Sequence, residues 1–191
     1  MMSDVPTEEL VARLRKVGAE PTWVEVKAAA KGVPRSLAAT LSAFANGDGG
    51  VVLLGLDDAA GFVPAPGFEA DRIRDAVAGI AADRLTPPVR GDVEIEVLDD
   101  ARIVRIDVLG LDAVERPCFI TPAGPYGGSY IRGGDGDRRL THYEVTQLML
   151  NQCQPAFDAE PVPGASLADL DPRAVEDLLG GVGSRHPRTV R

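Results

Sequence analysis

Four residues near the start of the chain carry side chains that together could act on a phosphodiester. Glu20, Glu25 and Asp57 are carboxylates, and Lys27 supplies an amine two residues after Glu25. Metal-assisted hydrolysis of a phosphodiester needs two or three carboxylates to hold a divalent ion such as Mg²⁺ or Mn²⁺, and often a lysine that steadies the attacking water. These residue types predict that all four residues form one catalytic group, in which the three carboxylates bind the metal ion.

The elements predicted around these residues could bring them together. Residues 23–29 alternate in character, which predicts a strand with Glu25 and Lys27 on one face. The apolar run 51–56 predicts a central strand covered on both faces, and Asp57 and Asp58 follow its end, where open α/β sheets bind ligands.

The same spacing also fits an interpretation without chemistry. Glu25 and Lys27 would then form a solvated ion pair on an exposed strand face, Glu20 would be a surface residue, and Asp57 with Asp58 would form a turn.

A second group of residues could contact nucleic acid. Three arginines bracket the glycine-rich segment GGDGD, a nearby tyrosine offers a ring on which a base could stack, and two more cations lie at the start of the second predicted helix. The predicted contacts are Lys31, Arg35, Tyr130, Arg132, Arg138 and Arg139. An equally good alternative is that Arg138 and Arg139 neutralise Asp135 and Asp137 within a hairpin loop.

The overall composition limits the classes of function. The formal net charge of −9 argues against broad electrostatic binding, so nucleic acid would have to meet a local basic patch or a metal ion. Two cysteines cannot form a disulfide framework, and no apolar run approaches the roughly 20 residues that span a bilayer. The N-terminus lacks the pattern of a secretory signal. We therefore expect a soluble cytoplasmic protein that does not contact a membrane.

The remaining pattern predicts an α/β (α+β) domain, with a mixed β-sheet flanked by helices. Thr7 is expected to cap a peripheral first helix, Asn46-Gly47 to end the second helix with a left-handed residue, and residues 93–108 to form a hairpin. Thr141 and Glu144 form a capping box. The predicted organisation is an N-terminal helix in 1–19, the domain in 20–153, a linker in 154–169, and a short helix with a disordered basic tail in 170–191.

Three stretches in order resemble the Schlafen AlbA_2 family, also called divergent AAA-4. They are the acidic and lysine motif from Glu20 to Lys27, the passage AFANGDGGVVLLGLDD, and YIRGGDGDRRLTHYEV. Departures are Val26 in place of the usual phenylalanine, Gly47-Asp48 in place of the threonine region, and GGDGD, which resembles an insertion. The glycines of AFANGDGG follow a helix and precede a strand, the reverse of a phosphate loop, so the family label does not imply ATP hydrolysis.

The resemblance implies three functions, which the sequence leaves open. Bacterial members are usually described as DNA-binding transcriptional regulators, often with a C-terminal winged helix, so one interpretation makes this chain the nucleic-acid-binding N-terminal domain of a longer regulator. Eukaryotic Schlafen relatives include ribonucleases with a trio of carboxylates, two of them spaced like Glu20 and Glu25. The third interpretation is a non-catalytic interaction domain that pairs with a partner protein or forms a homodimer.

Overall fold

The computed structural model describes residues 5–134 and 136–152, together with positions 164, 166, 169, 171–173, 175, 176 and 179. The chain divides into two compact units, residues 1–154 and 155–191. In the second unit, the amide of Val175 donates to the carbonyl oxygen of Asp171, which forms a helical turn. The predicted linker, most of the predicted last helix and the basic tail lie largely outside the described residues.

The first unit is built on a four-stranded mixed sheet. Strands β1 (Val24–Lys27) and β2 (Gly50–Leu54) are parallel, and β7 (Ala101–Val108) is antiparallel to both β2 and β6 (Gly91–Leu98). The strand order is β1-β2-β7-β6, so β2 is central and β1 lies at an edge. Asp99 and Asp100 both have positive φ angles, as a tight turn between β6 and β7 requires.

Three helices cover the two faces of this sheet. Helices α2 (Leu37–Asn46) and α3 (Ala70–Asp83) pack on one face, where Val52 and Leu54 point, and α1 (Thr7–Val17) packs on the other, with Val51 and Leu53. The alternation along β2 therefore buries both of its faces, as the apolar run predicted. The fold class predicted from sequence, a mixed sheet flanked by helices, is confirmed.

Short elements connect and border these layers. Two-residue strands pair as β3 (Leu56–Asp57) with β4 (Val63–Pro64), and β5 (Leu85–Thr86) with β8 (Phe119–Ile120). A 3₁₀ turn and a short helix, α4 (Gly124–Gly128), follow β8 where turns alone were expected. A hairpin of β9 (Tyr130–Gly133) and β10 (Gly136–Arg139) then leads into α5 (His142–Asn151), whose capping box of Thr141 and Glu144 is confirmed.

The first helix differs from its sequence prediction. Pro6 is the residue that precedes α1, and Thr7 lies inside the helix without capping it. The Thr7 hydroxyl instead accepts a hydrogen bond from Arg105 at 2.8 Å, because α1 packs against β7. Leu10 and Leu14 are 1% exposed, so α1 is part of the core and not peripheral.

The second helix also ends differently from its prediction. Gly47 follows the helix with a φ of −102°, and the left-handed residue is Gly49, with a φ of +87°. A Cβ atom on Gly49 would lie 2.4 Å from the carbonyl oxygen of Val108, so glycine is required there for both its backbone conformation and its size. None of the helices in the described part of the chain is long and apolar enough to cross a bilayer.

Candidate functional site

The acidic and lysine motif lies on the edge strand β1, with its charged side chains on the face covered by α2. Glu25 pairs in register with Val52 and Lys27 with Leu54, so the two charged residues share a face of the sheet. Glu25 is only 8% exposed. Its carboxylate contacts the Lys27 ammonium at 2.8 Å and the Arg132 guanidinium at 2.7 Å. Glu25 and Lys27 are therefore paired as the alternative interpretation predicted. Glu25 is buried, however, and its carboxylate also contacts a second cation, Arg132.

Arg132, on β9, lies at the centre of this network. Its guanidinium donates to the carbonyl oxygens of Thr22 and Val24, both at 3.1 Å, and to the Asp137 carboxylate at 3.0 Å. It also stacks over the Phe44 ring, with 5.5 Å to the ring centroid. The side chain is 13% exposed. Arg132 thus joins the β9–β10 hairpin to β1 from the inside of the domain.

Asp137 extends the network to α2. Its second carboxylate oxygen accepts a hydrogen bond of 2.6 Å from the Thr40 hydroxyl. Burial lowers the pKa of Arg132, but its hydrogen bonds to Asp137 and Glu25 outweigh this effect and raise the pKa above its usual value. We call the set Glu25, Lys27, Arg132, Asp137 and Thr40 the internal ion-pair network. It fixes the hairpin against both β1 and α2.

Glu20 lies beside this network but faces an open pocket. One of its carboxylate oxygens accepts from the amide of Val26 at 3.2 Å, and the other lies 3.9 Å from Arg132. Burial, and next the negative charge of Glu25, raise the pKa of Glu20. For Lys27, burial lowers the pKa, yet the hydrogen bond to Glu25 leaves it raised overall.

The pocket beside Glu20 has a volume of about 310 Å³. Glu20, Lys27 and Asp58 line it together with Gly18 and Ala19, which follow α1, and with Ala59 and Phe62. Asp57, which the sequence favoured, does not line this pocket, because its carboxylate accepts from the amide of Ala60 at 3.2 Å and closes its own turn. The structure therefore brings Glu20 and Lys27 together with Asp58.

The predicted metal ligands Glu20, Glu25 and Asp57 do not come together as a metal-binding group. Among the described residues there is no cluster of three or more histidine, cysteine, aspartate or glutamate side chains that could hold an ion. The physical reason lies in their partners, since Glu25 is shared by Lys27 and Arg132, and Asp57 closes a turn. At Glu25, a divalent ion would have to displace both the arginine and the lysine.

The predicted nucleic-acid contacts fall into two classes. Arg132 is half-buried and paired with carboxylates within the network, and Arg138 forms a two-pronged ion pair with Glu144, at 2.6 and 2.9 Å. Arg138 therefore does not pair with Asp137 as the hairpin alternative suggested, and Asp135 lies outside the described residues. Tyr130 is half-buried, with its backbone bonded to Ser42 and Asn46.

The other three predicted contacts remain available to a ligand. Lys31, Arg35 and Arg139 are exposed, and within the part of the chain that the structure describes their side chains make no ion pair or hydrogen bond. Of the five charged residues in the predicted set, these three are the ones without a carboxylate partner among the residues that the structure describes.

Two buried polar residues have roles that the sequence did not predict: Asn46 was assigned only to the end of α2, and Arg105 was not singled out. Asn46, at the end of α2, bonds to both the amide and the carbonyl of Cys118, at 2.6 and 2.8 Å, and to the carbonyl of Tyr130 at 2.9 Å. Arg105 lies 5% exposed on β7 and forms a two-pronged ion pair with Asp107. An asparagine ending an apolar helix, and an arginine inside an apolar strand, are the signals that could have found them.

Comparison with known proteins gives one family match. The sequence model of the family described as Schlafen, AlbA_2, matches residues 20–141. No curated protein matches the chain.

Among solved structures, the chain is similar to the N-terminal domain of a RecG-related protein from Nitrosomonas europaea, named as a candidate ATP-dependent DNA helicase and determined by solution NMR. The identity is 28% and the TM-score 0.53, over 71% of this chain and 95% of the other. The crystal structure of the DIP2311 protein from Corynebacterium diphtheriae aligns at 18% identity with a TM-score of 0.48, over 96% of this chain but only 40% of that protein.

Proposed function

This chain belongs to the Schlafen AlbA_2 family, and from that premise we propose that it is a nucleic-acid-binding module that acts without hydrolysing its ligand. The resemblance stated from the sequence motifs is confirmed by the family match over residues 20–141. The similar N-terminal domain belongs to a RecG-related protein whose name includes a DNA helicase, and this similarity supports a function that involves nucleic acid.

The observation that carries the proposal is the division of the cations into paired and unpaired ones. Arg132 and Arg138 are occupied by carboxylates, whereas Lys31, Arg35 and Arg139 are exposed without a carboxylate partner among the described residues. In a chain of net charge −9, unpaired cations on the surface are the groups that can meet phosphates and release counterions. Nucleic acid would therefore bind through these three side chains, with Arg132 holding the hairpin in shape.

The finer role proposed for this module is in a bacterial transcriptional regulator. A module whose principal contacts are three phosphate-binding side chains would supply affinity and position more than sequence specificity. Specificity would then come from another domain or from a partner, which includes a second copy of this chain.

A second candidate function is an endoribonuclease, favoured by the pocket that Glu20, Lys27 and Asp58 line. The raised pKa of Glu20 suits a carboxylic acid that gives or takes a proton, and Lys27 beside it could stabilise charge on a phosphate. Mg²⁺ or Mn²⁺ was the expected cofactor for such an enzyme. At Glu25 an ion would have to displace Lys27 and Arg132, so the pocket lined by Glu20, Lys27 and Asp58 is the place where cleavage and its dependence on Mn²⁺ are to be tested.

One panel of labelled substrates separates the candidates. Single-stranded DNA, duplex DNA and tRNA are incubated with the protein, each with and without Mn²⁺, and are examined for both mobility shift and cleavage. A binding module shifts the substrates and leaves them intact. A ribonuclease shortens the tRNA, and Glu20→Gln abolishes that cleavage while the far-UV circular dichroism spectrum is retained. An interaction domain shifts nothing, and light scattering then shows an oligomer.

A further inference from the structure

A groove between α2, α3 and β8 is lined by two arginines that no carboxylate accompanies. Its volume is about 390 Å³, and its lining residues are Val33, Pro34, Arg35, Ala38, Ile80, Arg84 and Ile120. Sequence patterns indicated Arg35 as a nucleic-acid contact, but Arg84, at the end of α3, was not singled out. The fold brings these two arginines, which are 49 positions apart in the sequence, to the lining of one cavity.

Both arginines are available to a ligand. Arg35 and Arg84 are exposed, and within residues 5–134 and 136–152 neither side chain forms an ion pair or a hydrogen bond. By contrast, the arginines of the neighbouring helix surface, Arg72 and Arg74, are paired with Glu69 and Asp75. In a chain with nine more acidic than basic residues, a cavity that holds two cations and no acid is a distinct electrostatic feature.

The beginning of α2 adds positive character to the same groove. Ser36 precedes the helix and makes no capping hydrogen bond with its side chain, and the first turn contains no acidic residue. In this turn the amides of Leu37 and Ala39 already donate to the carbonyl oxygens of Pro34 and Ser36, so the start of the helix contributes the partial positive charge of its dipole and not these two N–H groups. Ala38, in this turn, lines the groove.

We propose that this groove binds the phosphate group of a nucleotide. The two guanidinium groups would hold the phosphate oxygens, since arginine forms forked hydrogen bonds that match a phosphate, and the dipole of α2 would add to the attraction. The apolar wall of Val33, Ile80 and Ile120 would take the sugar or base, which inorganic phosphate alone would leave exposed. The inference deepens the proposed function and rests on it, because it identifies where one phosphate of a bound strand is held.

The experiment is isothermal titration calorimetry of the full chain with adenosine 5′-monophosphate, adenosine and inorganic phosphate. We expect the monophosphate to bind most tightly, phosphate more weakly, and adenosine least. Arg35→Gln should weaken the binding of the monophosphate by about tenfold, which is the effect expected for the loss of one hydrogen bond to a charged group. Arg84→Gln should weaken it less, because Arg84 follows α3 directly and part of its charge offsets the negative C-terminal end of that helix.

Arg13→Gln is the matched control. Arg13 is an exposed arginine on α1 that, among the described residues, also has no ion-pair partner, but it does not line the groove. Its replacement removes the same charge and should leave the affinity for the monophosphate unchanged. An equal loss in the Arg13→Gln variant would show that only overall charge matters and would overturn the site. So would adenosine binding as tightly as its monophosphate.

Labelled single-stranded DNA, titrated into the same variants, separates failure of this site from failure of the proposed function. Oligonucleotide binding that is equal in the wild type and in the Arg35→Gln Arg84→Gln double variant overturns the groove as the phosphate site and removes Arg35 from the proposed contacts, but leaves nucleic-acid binding through Lys31 and Arg139 standing. Arginine-dependent binding of the monophosphate without any oligonucleotide binding supports the groove and refutes the proposed function.

Discussion

Replacing Arg132 with methionine tests whether the internal ion-pair network holds the domain together. The substitution keeps an unbranched apolar side chain over Phe44 but removes the charge that Glu25 and Asp137 share. These two carboxylate side chains are 10% and 14% exposed. Removing one partner of a buried ion pair costs about 3–5 kcal/mol, and the remaining contact between Glu25 and Lys27 puts the expected loss near the lower end, about 3 kcal/mol.

Urea unfolding followed by circular dichroism measures this loss. With typical urea slopes, it corresponds to a fall in the unfolding midpoint of about 1–3 M. Arg138→Met is the matched control, since Arg138 lies in the same hairpin and pairs with Glu144 at the surface, where water screens the interaction. We expect a much smaller change in that variant.

A double variant sharpens the test. Asp137→Asn in the Arg132→Met background removes the stranded carboxylate charge, so the double variant should be more stable than the sum of the two single losses implies. If Arg132→Met and Arg138→Met lowered the midpoint equally and only slightly, the guanidinium of Arg132 would not be a buried hub, and its assignment as a structural residue would be refuted.

Three further predictions follow from the fold. Arg138, and next the backbone and side chain of Thr141, lower the pKa of Glu144 to about 2. The contribution of Glu144 to stability is therefore present above its ordinary pKa of 4.5 and is lost as the pH falls towards 2. In urea unfolding, Glu144→Gln should be less stable than the wild type at pH 7 and equally stable near pH 2. A difference in stability that persists at pH 2 would contradict this prediction. Burial raises the pKa of the Cys118 thiol to about 12. In a Cys153→Ser background, this thiol should therefore resist Ellman's reagent at pH 8 until guanidinium is added. Rapid labelling of the folded protein would disprove the burial of Cys118. Gly61→Ala should lower stability by about 1–2 kcal/mol, because only the positive φ of Gly61 opposes the substitution. Gly49→Ala should cost clearly more or unfold the domain, because the new Cβ would also meet a backbone oxygen. Equal thermal midpoints of the two variants would refute the close packing at Gly49.

The local patterns of the sequence were sufficient to predict most of the helices and strands. The alternation before Lys27 predicted β1, the apolar run 51–56 predicted the central strand, and the Thr141 capping box predicted α5, because each depends on neighbouring residues. Besides the start of α1 and the end of α2, the segment before β9 is an exception. Its glycine and proline content predicted turns, and packing against β8 forms it into a short helix instead.

The candidate site was less predictable, because its partners are far apart in the chain. Glu25 and Arg132 are more than a hundred positions apart, and a glutamate beside a lysine pairs equally well with that lysine, a metal or a distant arginine. The choice between Asp57 and Asp58 depends on which carboxylate closes the turn. Likewise, an arginine looks the same in sequence whether it is buried, as Arg132 is, or exposed, as Arg139 is.

The most direct test of the central claim is the salt dependence of nucleic-acid affinity. Fluorescence anisotropy would be measured with labelled single-stranded DNA across a series of salt concentrations, for the wild type and for a variant with Lys31, Arg35 and Arg139 all changed to glutamine. The account predicts weaker binding by the variant at low salt and a slope of log affinity against log salt that is shallower by about 2, since each phosphate contact on a single strand contributes about 0.7. The same slope in both proteins, or no binding by the wild type at low salt, would contradict it.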